Sequence, residues 1–406
     1  MTKDSKVVWI INQYAGSPKH GMTFRSYFLA KEFIKRHKVT IFSASFSHVM
    51  SNPPTVTQTF SKENIEGIEY QWLKVPIYNN SKSLGRVLSM FVFLYRLFFF
   101  KTKTLDSPDV IIVSSISPFP IWKAYFWSRH YKAKLIFEVR DIWPLTIIEL
   151  GNFKKNNPFV FLLQITENFA YKVSDYVVSV LPNAFSHMKN HGLDKKRFVH
   201  IPNGIDLNMT LQKIKPEIAS QIPKNKFIIA YTGAVGIANS LITFAKAANL
   251  LKDNNDIIFL IVGDGSEKED ILKYKLQNKL INLVLIDPIP KKNVIPLLKE
   301  YVDVCFIGLM SQPLFRFGIS PNKMFDYLYS AKPIIQSIDS ANDIVKEANA
   351  GISVKPENPK EIADAILKIF KMSEFERNEL GKNGRAYVEK YHSYEQLAKQ
   401  YEYLFN

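Results

Sequence analysis

Short apolar runs alternate with longer amphipathic segments along most of the chain. The runs are rich in Val, Ile, Leu and Phe, as strands buried on both faces of a parallel sheet are, and the segments between them have helical periodicity. The runs predicted to be strands are residues 7–11, 39–42, 110–113, 135–139, 176–180, 198–201, 227–231, 257–262, 283–286, 302–307 and 334–335. This alternation predicts an α/β protein built on doubly wound parallel sheets.

The length of 406 residues and the position of one polar segment predict two domains. Residues 207–226 carry Pro216 and Pro223, as a linker often does. We therefore expect Rossmann-like domains at residues 1–206 and 227–392, facing each other across a cleft, followed by a helix at residues 393–406. The apolar fraction of 47% and the charged fraction of 22% are typical of globular domains and not of a disordered chain.

Cysteine content and the first residues indicate the compartment. Cys305 is the only cysteine, so no disulfide can form within the chain, which fits a reducing environment. The apolar run of residues 7–11 is too short for a signal peptide. We therefore expect a cytoplasmic protein.

Residues 317–337, FGISPNKMFDYLYSAKPIIQS, predict a loop, a capped helix and a strand. Ser320 is a suitable N-cap, and Pro321 suits the first helical position, where its missing N–H has no consequence. The helix would present the backbone amides of Asn322 and Lys323, together with the Lys323 ammonium, at its positive end. The segment therefore predicts an anion site suited to a diphosphate.

Asp326 follows Asn322 by four residues, so both side chains project from one face of the predicted helix. A carboxylate there could hold two vicinal hydroxyls, such as those of a ribose, while a diphosphate binds at the helix tip. The alternative is an ordinary amphipathic helix with a surface pair between Lys323 and Asp326.

A glycine-containing loop, residues 12–22, follows the first predicted strand. Ligands bind at the carboxyl ends of parallel strands, so this loop is well placed for a ligand. Gly16 and Gly21 would allow a close backbone approach, and Arg25 lies in a helix that we expect to begin near Thr23. The alternative is that both glycines are ordinary turn residues.

A second glycine loop, TGAVGIANS at residues 232–240, opens the predicted second domain, and GDG follows at residues 263–265. The chain contains no G-x-G-x-x-G, so dinucleotide binding is poorly supported. Arg140 and Asp141, in EVRDIWP, follow another predicted strand. They could bind a phosphate and orient or deprotonate a hydroxyl, or they could form a structural ion pair.

The stretch SPNKMFDYLYSAKPII, residues 320–335, resembles the donor-binding segment of retaining family 4 glycosyltransferases, which have the GT-B architecture. The resemblance covers nearly the whole chain. It is closest to bacterial transferases of L-fucosamine and related amino sugars, which act in O-antigen and capsule assembly. Of the two acidic residues of the wider family, Asp326 is the second, but Gly318 stands at the first position, eight residues earlier. Backbone amides at Gly318 and Ile319 are expected to replace the missing carboxylate.

The resemblance also assigns the remaining site residues. In most relatives an Arg and a Lys of the second glycine loop hold the diphosphate, but Ala234 and Asn239 stand there in this chain. Lys323, with Arg140 or Arg25, must then supply the positive charge. The implied donor-binding residues are Gly16, Gly21, Arg25, Gly233, Gly236, Asn239, Gly263, Gly318, Ile319, Ser320, Asn322, Lys323 and Asp326. Asp141, Arg140 and Lys323 are expected to be catalytic, although many relatives carry a His near Asp141. The helix at residues 393–406 is expected to return to the first domain.

Basic and apolar residues are concentrated in the first half of the chain. Residues 1–205 carry 27 Lys and Arg against 13 Asp and Glu, within a net charge of +16 for the whole chain. This asymmetry indicates an anionic partner, and no nucleic-acid-binding motif is visible. Residues 84–103 are the most apolar segment, and a helical wheel places its polar residues within one arc, namely Arg86, Ser89, Arg96 and Lys103. This helix could lie on an anionic membrane, aided by aromatic and basic residues in 122–134, or it could be a core helix.

Together with the resemblance, these features predict a retaining glycosyltransferase. It would move a sugar, expected to be an N-acetylated amino sugar, from UDP to a polyprenyl-diphosphate-linked saccharide at the inner face of the plasma membrane. The resemblance implies front-face displacement, in which a donor phosphate oxygen accepts the acceptor proton. No cofactor or metal is expected, because the sequence has no Asp-x-Asp motif and no His or Cys at ligand spacing. The alternatives are a nucleotide-sugar epimerase of the same fold and a non-enzymatic basic protein that binds membrane or nucleic acid.

Overall fold

The structure, a computed structural model, describes residues 5–21, 24–79, 83–151 and 153–406. The predicted helix start near Thr23 lies outside these residues. The chain forms two compact units, one of Met1–Asn203 with Tyr394–Asn406 (unit 1) and one of Gly204–Ser393 (unit 2). Each unit has its own sheet of mainly parallel strands, which confirms the predicted α/β fold class.

The sheet of unit 1 is parallel except at one edge. In the described part of the unit its strands are β1 (Val7–Ile11), β2 (Lys38–Ala44), β3 (Phe60–Ile65), β4 (Ile68–Leu73), β5 (Val110–Ser114), β6 (Lys134–Val139), β7 (Tyr176–Ser179) and β8 (Phe198–His200). Their order is β3-β4-β2-β1-β5-β6-β7-β8, and β3 runs antiparallel to β4. Central strands such as β5 are buried throughout, as strands covered on both faces must be.

Strands β3 and β4 are absent from the sequence-based prediction. Of the six residues of β3, FSKENI, Ile65 alone is buried, so the strand lacks the continuous apolar run that marks its neighbours. β4 mixes Glu69 and Gln71 with aromatic residues, and a turn at Glu66 and Gly67, both with positive φ, joins it to β3. The pair is a hairpin that extends the edge of the sheet.

The helices that precede residue 204 are α1 (Arg25–Phe33), α2 (Leu84–Phe98), α3 (Ile121–Tyr131), α4 (Leu145–Glu149), α5 (Pro158–Val173) and α6 (Phe185–Asn190). The predicted helix of residues 84–103 therefore ends at Phe98, and a separate 3₁₀ turn covers Thr102–Thr104. Among the described residues, no helix is both long enough and apolar enough to span a bilayer.

Helix α2 has features of both alternatives predicted from the sequence, since it packs on the core of unit 1 and also keeps an exposed apolar side. Its polar arc is directed toward the protein, since Ser89 is buried, the Arg86 Nε donates to the Tyr14 hydroxyl at 3.2 Å, and Arg96 donates to the Lys74 carbonyl. The side chains that join Ser89 inside are Met90, Phe93 and Leu97. The apolar residues on the remaining faces of the helix are consequently left toward solvent.

Unit 2 contains a sheet in which all described strands are parallel. The strands are β9 (Phe227–Thr232), β10 (Ile257–Val262), β11 (Leu283–Ile286), β12 (Val304–Gly308), β13 (Ile334–Ser337) and β14 (Gly351–Val354), in the order β11-β10-β9-β12-β13-β14. The helices are α7 (Pro216–Ala219), α8 (Leu241–Leu250), α9 (Lys268–Gln277), α10 (Lys291–Tyr301), α11 (Asn322–Tyr329), α12 (Ile344–Glu347), α13 (Pro359–Phe370) and α14 (Glu374–Tyr391). The short edge strand β14 is absent from the prediction.

The segment predicted as a linker, residues 207–226, packs on unit 2. It contains helix α7, and Ile214 and Ile222 are buried in the core of that unit. The Gln212 N–H donates to the Lys292 carbonyl at 3.0 Å, which fixes the segment next to helix α10. The two prolines thus belong to a segment that is folded onto unit 2 and not to a flexible linker.

Helix α15 (Tyr394–Glu402) lies in unit 1, where it packs against α1. Leu397 and Tyr401 are buried there with Phe33. Residues 403–405 continue as a 3₁₀ turn whose Leu404 and Phe405 enter the same core.

Arg25 is a core residue, so the prediction that it binds the donor is wrong. Its Nε donates to Glu138 on β6 at 2.8 Å, and its other nitrogens donate to the Ile201 and Pro202 carbonyls. Burial alone would raise the pKa of Glu138, but the Arg25 charge and hydrogen bonds from Ser114 and Tyr401 lower it to about 2. A buried guanidinium with these partners cannot reach a phosphate in solvent without breaking a buried ion pair.

Candidate active site

Helix α11 begins after a 3₁₀ turn, Pro313–Phe317, that follows strand β12 of unit 2. Its N-cap is Pro321, in an extended conformation, so the helix starts one residue later than predicted and Ser320 is not the cap. Proline has no side-chain acceptor, and the amides of Asn322 and Lys323 therefore receive no side-chain cap. The uncapped turn, with the positive end of the helix dipole behind it, is available to an anion.

The buried face of α11 holds the helix against strand β9. The Tyr327 hydroxyl accepts a hydrogen bond from the Thr232 N–H at 2.8 Å and lies 3.2 Å from the Thr232 carbonyl. Met324, Phe325 and Leu328 are fully buried in the core of unit 2. These contacts place the first turn of α11 beside the glycine loop that follows β9.

Lys323 lies against that glycine loop. Its Nζ donates to Asn239 Oδ1 at 2.8 Å and to the Tyr231 hydroxyl, and it lies 4.2 Å from the centre of the Tyr231 ring. A Cβ on Gly233 would be 3.5 Å from both Nζ and Cε of Lys323. Asn239 and Tyr231 thus hold the Lys323 ammonium beside Gly233 of the loop.

The loop itself is shaped by close backbone contacts. The Ala234 carbonyl accepts from the Tyr231 hydroxyl at 2.6 Å and from Asn239 Nδ2 at 3.1 Å. Gly263 lies so close that a Cβ there would stand 1.8 Å from the Gly233 carbonyl oxygen, and its φ is +158°. Gly236, which precedes the turn that carries Asn239, has an open environment. The predicted Gly233, Gly236, Asn239, Gly263 and Lys323 are therefore brought together.

Burial lowers the pKa of Lys323 from 10.5 to about 7. Its contacts explain why the shift is uncompensated: an amide oxygen and a phenol hold the nitrogen, and neither carries a negative charge. A buried ammonium without an anionic partner is unfavourable. The site is therefore electrostatically suited to an anionic ligand, which would supply the missing charge.

Asp326 is buried one turn further along α11, where it forms an ion pair with Lys291 at the start of α10. The alternative surface pair between Lys323 and Asp326 is wrong, because these side chains have different partners. Asn322, at the tip, is exposed. Lys291 is a site residue that the sequence-based prediction missed.

The amides proposed to replace the missing carboxylate are already in use. The Gly318 N–H donates to the Phe315 carbonyl at 2.9 Å, and the Ile319 N–H donates to Asn342 Oδ1 at 2.7 Å. The Asn342 Nδ2 in turn donates to the Ile319 carbonyl at 3.1 Å. The expectation that these two amides bind the sugar is therefore wrong. Gly318 is required by its backbone, whose φ of +92° disfavours other residues.

In unit 1, Arg140 and Asp141 follow strand β6, and both are half-buried. The Arg140 N–H donates to Ser115 Oγ at 3.0 Å, which ties this turn to the end of β5. Burial raises the pKa of Asp141, whereas the charges of Arg140 and Arg86 oppose the rise. Arg86 lies over the rings of Tyr14 and Trp143, at 5.4 and 5.6 Å. This arginine therefore belongs with Asp141, a role that the sequence-based prediction missed.

The two glycines of the first loop make their close contacts within the protein. The Gly16 carbonyl accepts a hydrogen bond from the Tyr70 hydroxyl at 3.0 Å. Gly21 has a φ of +95°, its N–H donates to the Ser17 carbonyl, and a Cβ would lie 2.6 Å from Ser51 Oγ. Both positions are explained by packing of the loop against its neighbours, and their assignment to donor binding stays a prediction.

Two sequence families match consecutive parts of the chain. Residues 20–209 match Glycosyltransferase Family 4, and residues 213–387 match Glycosyl transferases group 1. The chain is 23% identical over 315 residues to the probable glycosyltransferase WbjE of Pseudomonas aeruginosa, with 75% of this chain and 77% of the relative covered.

Solved structures share the architecture at low sequence identity. Sucrose-phosphate synthase from Thermosynechococcus elongatus superposes with a TM-score of 0.73 at 15% identity over 98% of each chain. Anabaena Alr3699/HepE, solved in complex with UDP-glucose, gives a TM-score of 0.64 at 14% identity over 97% of this chain and 98% of that one. The fold and the two consecutive matches make the protein a glycosyltransferase of the GT-B type, in which residues 20–209 are similar to family 4 and residues 213–387 to group 1 glycosyltransferases.

Proposed function

We propose that the enzyme transfers a sugar from a UDP-sugar to a lipid-diphosphate-linked saccharide, with retention of configuration and without a metal in the transfer step. The observation that carries this proposal is the partly buried Lys323 in the first turn of α11, whose ammonium has only neutral hydrogen-bond partners among the described residues. The buried Asp326, one turn away, suits the two hydroxyls of a ribose. The Anabaena relative, solved with UDP-glucose, supports UDP as the nucleotide.

In the proposed reaction, the main role of the protein is to stabilise the leaving group. As the bond between the sugar C1 and the diphosphate oxygen breaks, negative charge collects on UDP, where the Lys323 ammonium and the amides of Asn322 and Lys323 can meet it. The acceptor hydroxyl bonds to C1 from the same face, and its proton passes to the departing phosphate oxygen. Positioning and electrostatics then supply most of the rate enhancement.

Asp141 and the two arginines beside it are assigned to the acceptor. With its pKa raised by burial, Asp141 is suited to orient the attacking hydroxyl by hydrogen bonding. Arg140 and Arg86 carry the positive charge that an acceptor diphosphate needs. The resemblance of residues 320–335 to amino-sugar transferases supports an N-acetylated amino sugar as the transferred group.

The outward side of α2 supports a membrane-bound acceptor. Leu84, Leu88 and Tyr95 are 86%, 55% and 64% exposed, and they recur at the spacing of one helix face. Phe126 of α3, which meets Phe98 at 6.1 Å, and Phe161 of α5 are also exposed. We call these six residues the apolar surface: Leu84, Leu88, Tyr95, Phe98, Phe126 and Phe161. Its apolar area and the basic charge of residues 1–205 fit an anionic bilayer surface.

Two aromatic residues expected to help membrane docking are packed against other rings of unit 1, Trp122 half-buried and Trp127 buried. Trp122 stacks on Phe169 with ring centres 3.9 Å apart, and Trp127 is buried against Trp9. Within residues 122–134, Phe126 is the large apolar side chain that remains exposed. The docking proposal therefore rests on the apolar surface and not on the tryptophans.

Replacing Leu88 and Tyr95 together by glutamate should lower binding to anionic vesicles at least ~10-fold, because it removes two apolar side chains and adds two negative charges. Both residues are exposed, so the fold should be unaffected. Sedimentation with vesicles of phosphatidylglycerol and phosphatidylcholine measures the effect, and wild-type binding should fall at high salt.

The matched control replaces Leu276 and Ile281 by glutamate, since these residues of unit 2 are 75% and 78% exposed. That variant should bind vesicles as the wild type does. Equal loss in both variants, or wild-type binding that ignores lipid charge, would contradict docking through the apolar surface.

The test of the proposed reaction measures release of UDP from a panel of UDP-sugars, with and without a polyprenyl-diphosphate-linked saccharide. We expect fast release only when the matching donor and the lipid-linked acceptor are both present. The same panel extended to GDP- and dTDP-sugars, read as a rise in melting temperature, should single out the UDP donors. Preference for another nucleotide, or acceptor-independent turnover as the main reaction, would refute the proposal.

A further inference from the structure

Two histidines at the end of helix α6 face the same way. His187 and His191 are four residues apart, a spacing that brings side chains to one face of a helix, and their ring centres are 4.4 Å apart. The statement that no histidines stand at ligand spacing is therefore wrong. The third member of this cluster, Glu167 on α5, is distant in sequence and could not be inferred from spacing.

Glu167 is a buried carboxylate on α5 that faces His187 of α6. Its two oxygens lie 3.2 and 3.4 Å from Nε2 of His187. The Tyr171 hydroxyl donates to Oε1 at 2.7 Å and fixes the orientation of the carboxylate, as residues behind metal ligands commonly do. Ligand atoms of Glu167, His187 and His191 all lie within 4.8 Å of one another.

The side chain of Gln164 lies among these ligand atoms. Its Nε2 is 2.7 Å from Glu167 Oε2, 2.8 Å from Asn168 Oδ1 and 3.0 Å from His191 Nδ1. His191 Nδ1 also lies 3.0 Å from Asn168 Oδ1. A cation in place of the Gln164 amide would interact favourably with the Glu167 carboxylate, the Asn168 oxygen and the unprotonated His191 nitrogen.

The donor set selects a class of metal. Two imidazoles and one carboxylate suit zinc and similar borderline ions, whereas calcium and magnesium prefer oxygen ligands alone. Tetrahedral zinc, with bonds of about 2.0–2.1 Å, needs ligand atoms about 3.4 Å apart. Since the ligand atoms lie within 4.8 Å of one another, zinc binding would require a contraction of up to about 1.4 Å and a rotation of Gln164.

We propose that Glu167, His187 and His191 bind one divalent ion of the zinc class, which clamps α5 to α6 within unit 1. The fourth position is open to water or to the Asn168 amide oxygen. The ion is not part of the transfer reaction proposed above, because neither helix carries a residue assigned to that reaction. Its expected effect is on the stability of unit 1.

The test uses the full chain, stripped with a chelator and then titrated with zinc sulfate alone. We expect one bound zinc per chain by elemental analysis and a melting temperature at least ~2 °C above that of the stripped protein. Cobalt(II) bound at a four-coordinate site should give visible absorption, and this absorption should disappear when zinc displaces the cobalt. The double variant His187→Ala/His191→Ala should bind zinc at least ~10-fold more weakly and lose the thermal shift.

The matched control is His130→Ala, which removes an exposed histidine of α3 and should behave as the wild type. If the double variant does not fold, Glu167→Gln tests the same loss with little change of shape. The proposal is overturned if His187→Ala/His191→Ala or Glu167→Gln binds zinc and shows the thermal shift as the wild type does. It is also overturned if the wild type shows neither. The cluster would then be a hydrogen-bonded ion pair between helices.

Discussion

Replacement of Lys323 by methionine is expected to lower sugar transfer at least ~100-fold while the protein remains folded. The ammonium lies in the first turn of α11 beside Gly233, where the leaving diphosphate is proposed to bind. Loss of one such charge-stabilising donor raises a barrier by about 3 kcal/mol. Methionine keeps the length and apolar stem of lysine, so the rate measures the charge and not a cavity. Steady-state UDP release is the readout.

The same substitution should stabilise the ligand-free enzyme, and the effect should depend on pH. The Lys323 pKa is about 7 in the folded protein against 10.5 normally. Below pH 7 both the folded and the unfolded chain carry the charge, so the folded state bears the full penalty of burying it. Above pH 10.5 neither state carries the charge, so this penalty is absent. Lys323→Met should therefore raise the free energy of unfolding by about 1–3 kcal/mol near pH 6 and by little near pH 10.5. Thermal or urea unfolding at the two pH values measures this.

A suitable control is Lys299→Met, because Lys299 also lies over a tyrosine ring, that of Tyr329 at 5.2 Å, but is not assigned to the site. Its transfer rate should stay near that of the wild type. Near-normal turnover in a folded Lys323→Met variant would contradict the proposal that Lys323 stabilises the leaving diphosphate.

Replacement of Asp326 by asparagine is expected to weaken UDP binding about 10–100-fold, since a buried hydrogen-bonded charge is worth about 1.5–3 kcal/mol. The carboxylate is buried on α11 and its proposed ligand is the ribose diol. Uridine, which has the ribose but no diphosphate, should lose affinity by a similar factor. Lys323→Met, in contrast, should weaken UDP and spare uridine. Calorimetry with the two ligands separates these roles.

Lys291 provides the companion variant, because its ion pair with Asp326 is the alternative reason for a buried carboxylate. If Asp326 serves only to hold Lys291, Lys291→Met should weaken UDP binding as much as Asp326→Asn does. We expect a much smaller loss, since the ribose can take the place of the ammonium. Unchanged UDP affinity in folded Asp326→Asn would instead identify a structural carboxylate.

The fold was largely predictable because most strands are unbroken apolar runs. The runs at Val7–Ile11 and Ile257–Val262 coincide with β1 and β10, since burial on both faces leaves no room for polar residues. The hairpin of β3 and β4 escaped prediction for the opposite reason. One of its strands is an exposed edge, and edges carry polar residues that resemble a loop in sequence.

The candidate site was predictable where its geometry is local. Lys323 and Asp326 follow from one predicted helix, whose spacing and polarity are visible in the sequence. Lys291, 35 residues before its partner Asp326, and Glu138, 113 residues after its partner Arg25, are brought into place by tertiary packing. Arg25 was misassigned because its position beside a glycine loop is evident in sequence, whereas its buried partner is not.

Unit 1 is assembled from chain on both sides of unit 2, and this affects how the protein can fold during synthesis. Residues 394–405 supply Leu397 and Tyr401 to the core of unit 1, and they leave the ribosome only after all of unit 2. Until then the Arg25–Glu138 pair lacks the Tyr401 hydroxyl. Unit 2 is continuous and can fold as soon as its own segment has emerged. The part of the enzyme that is translated first is therefore the part whose core is closed last.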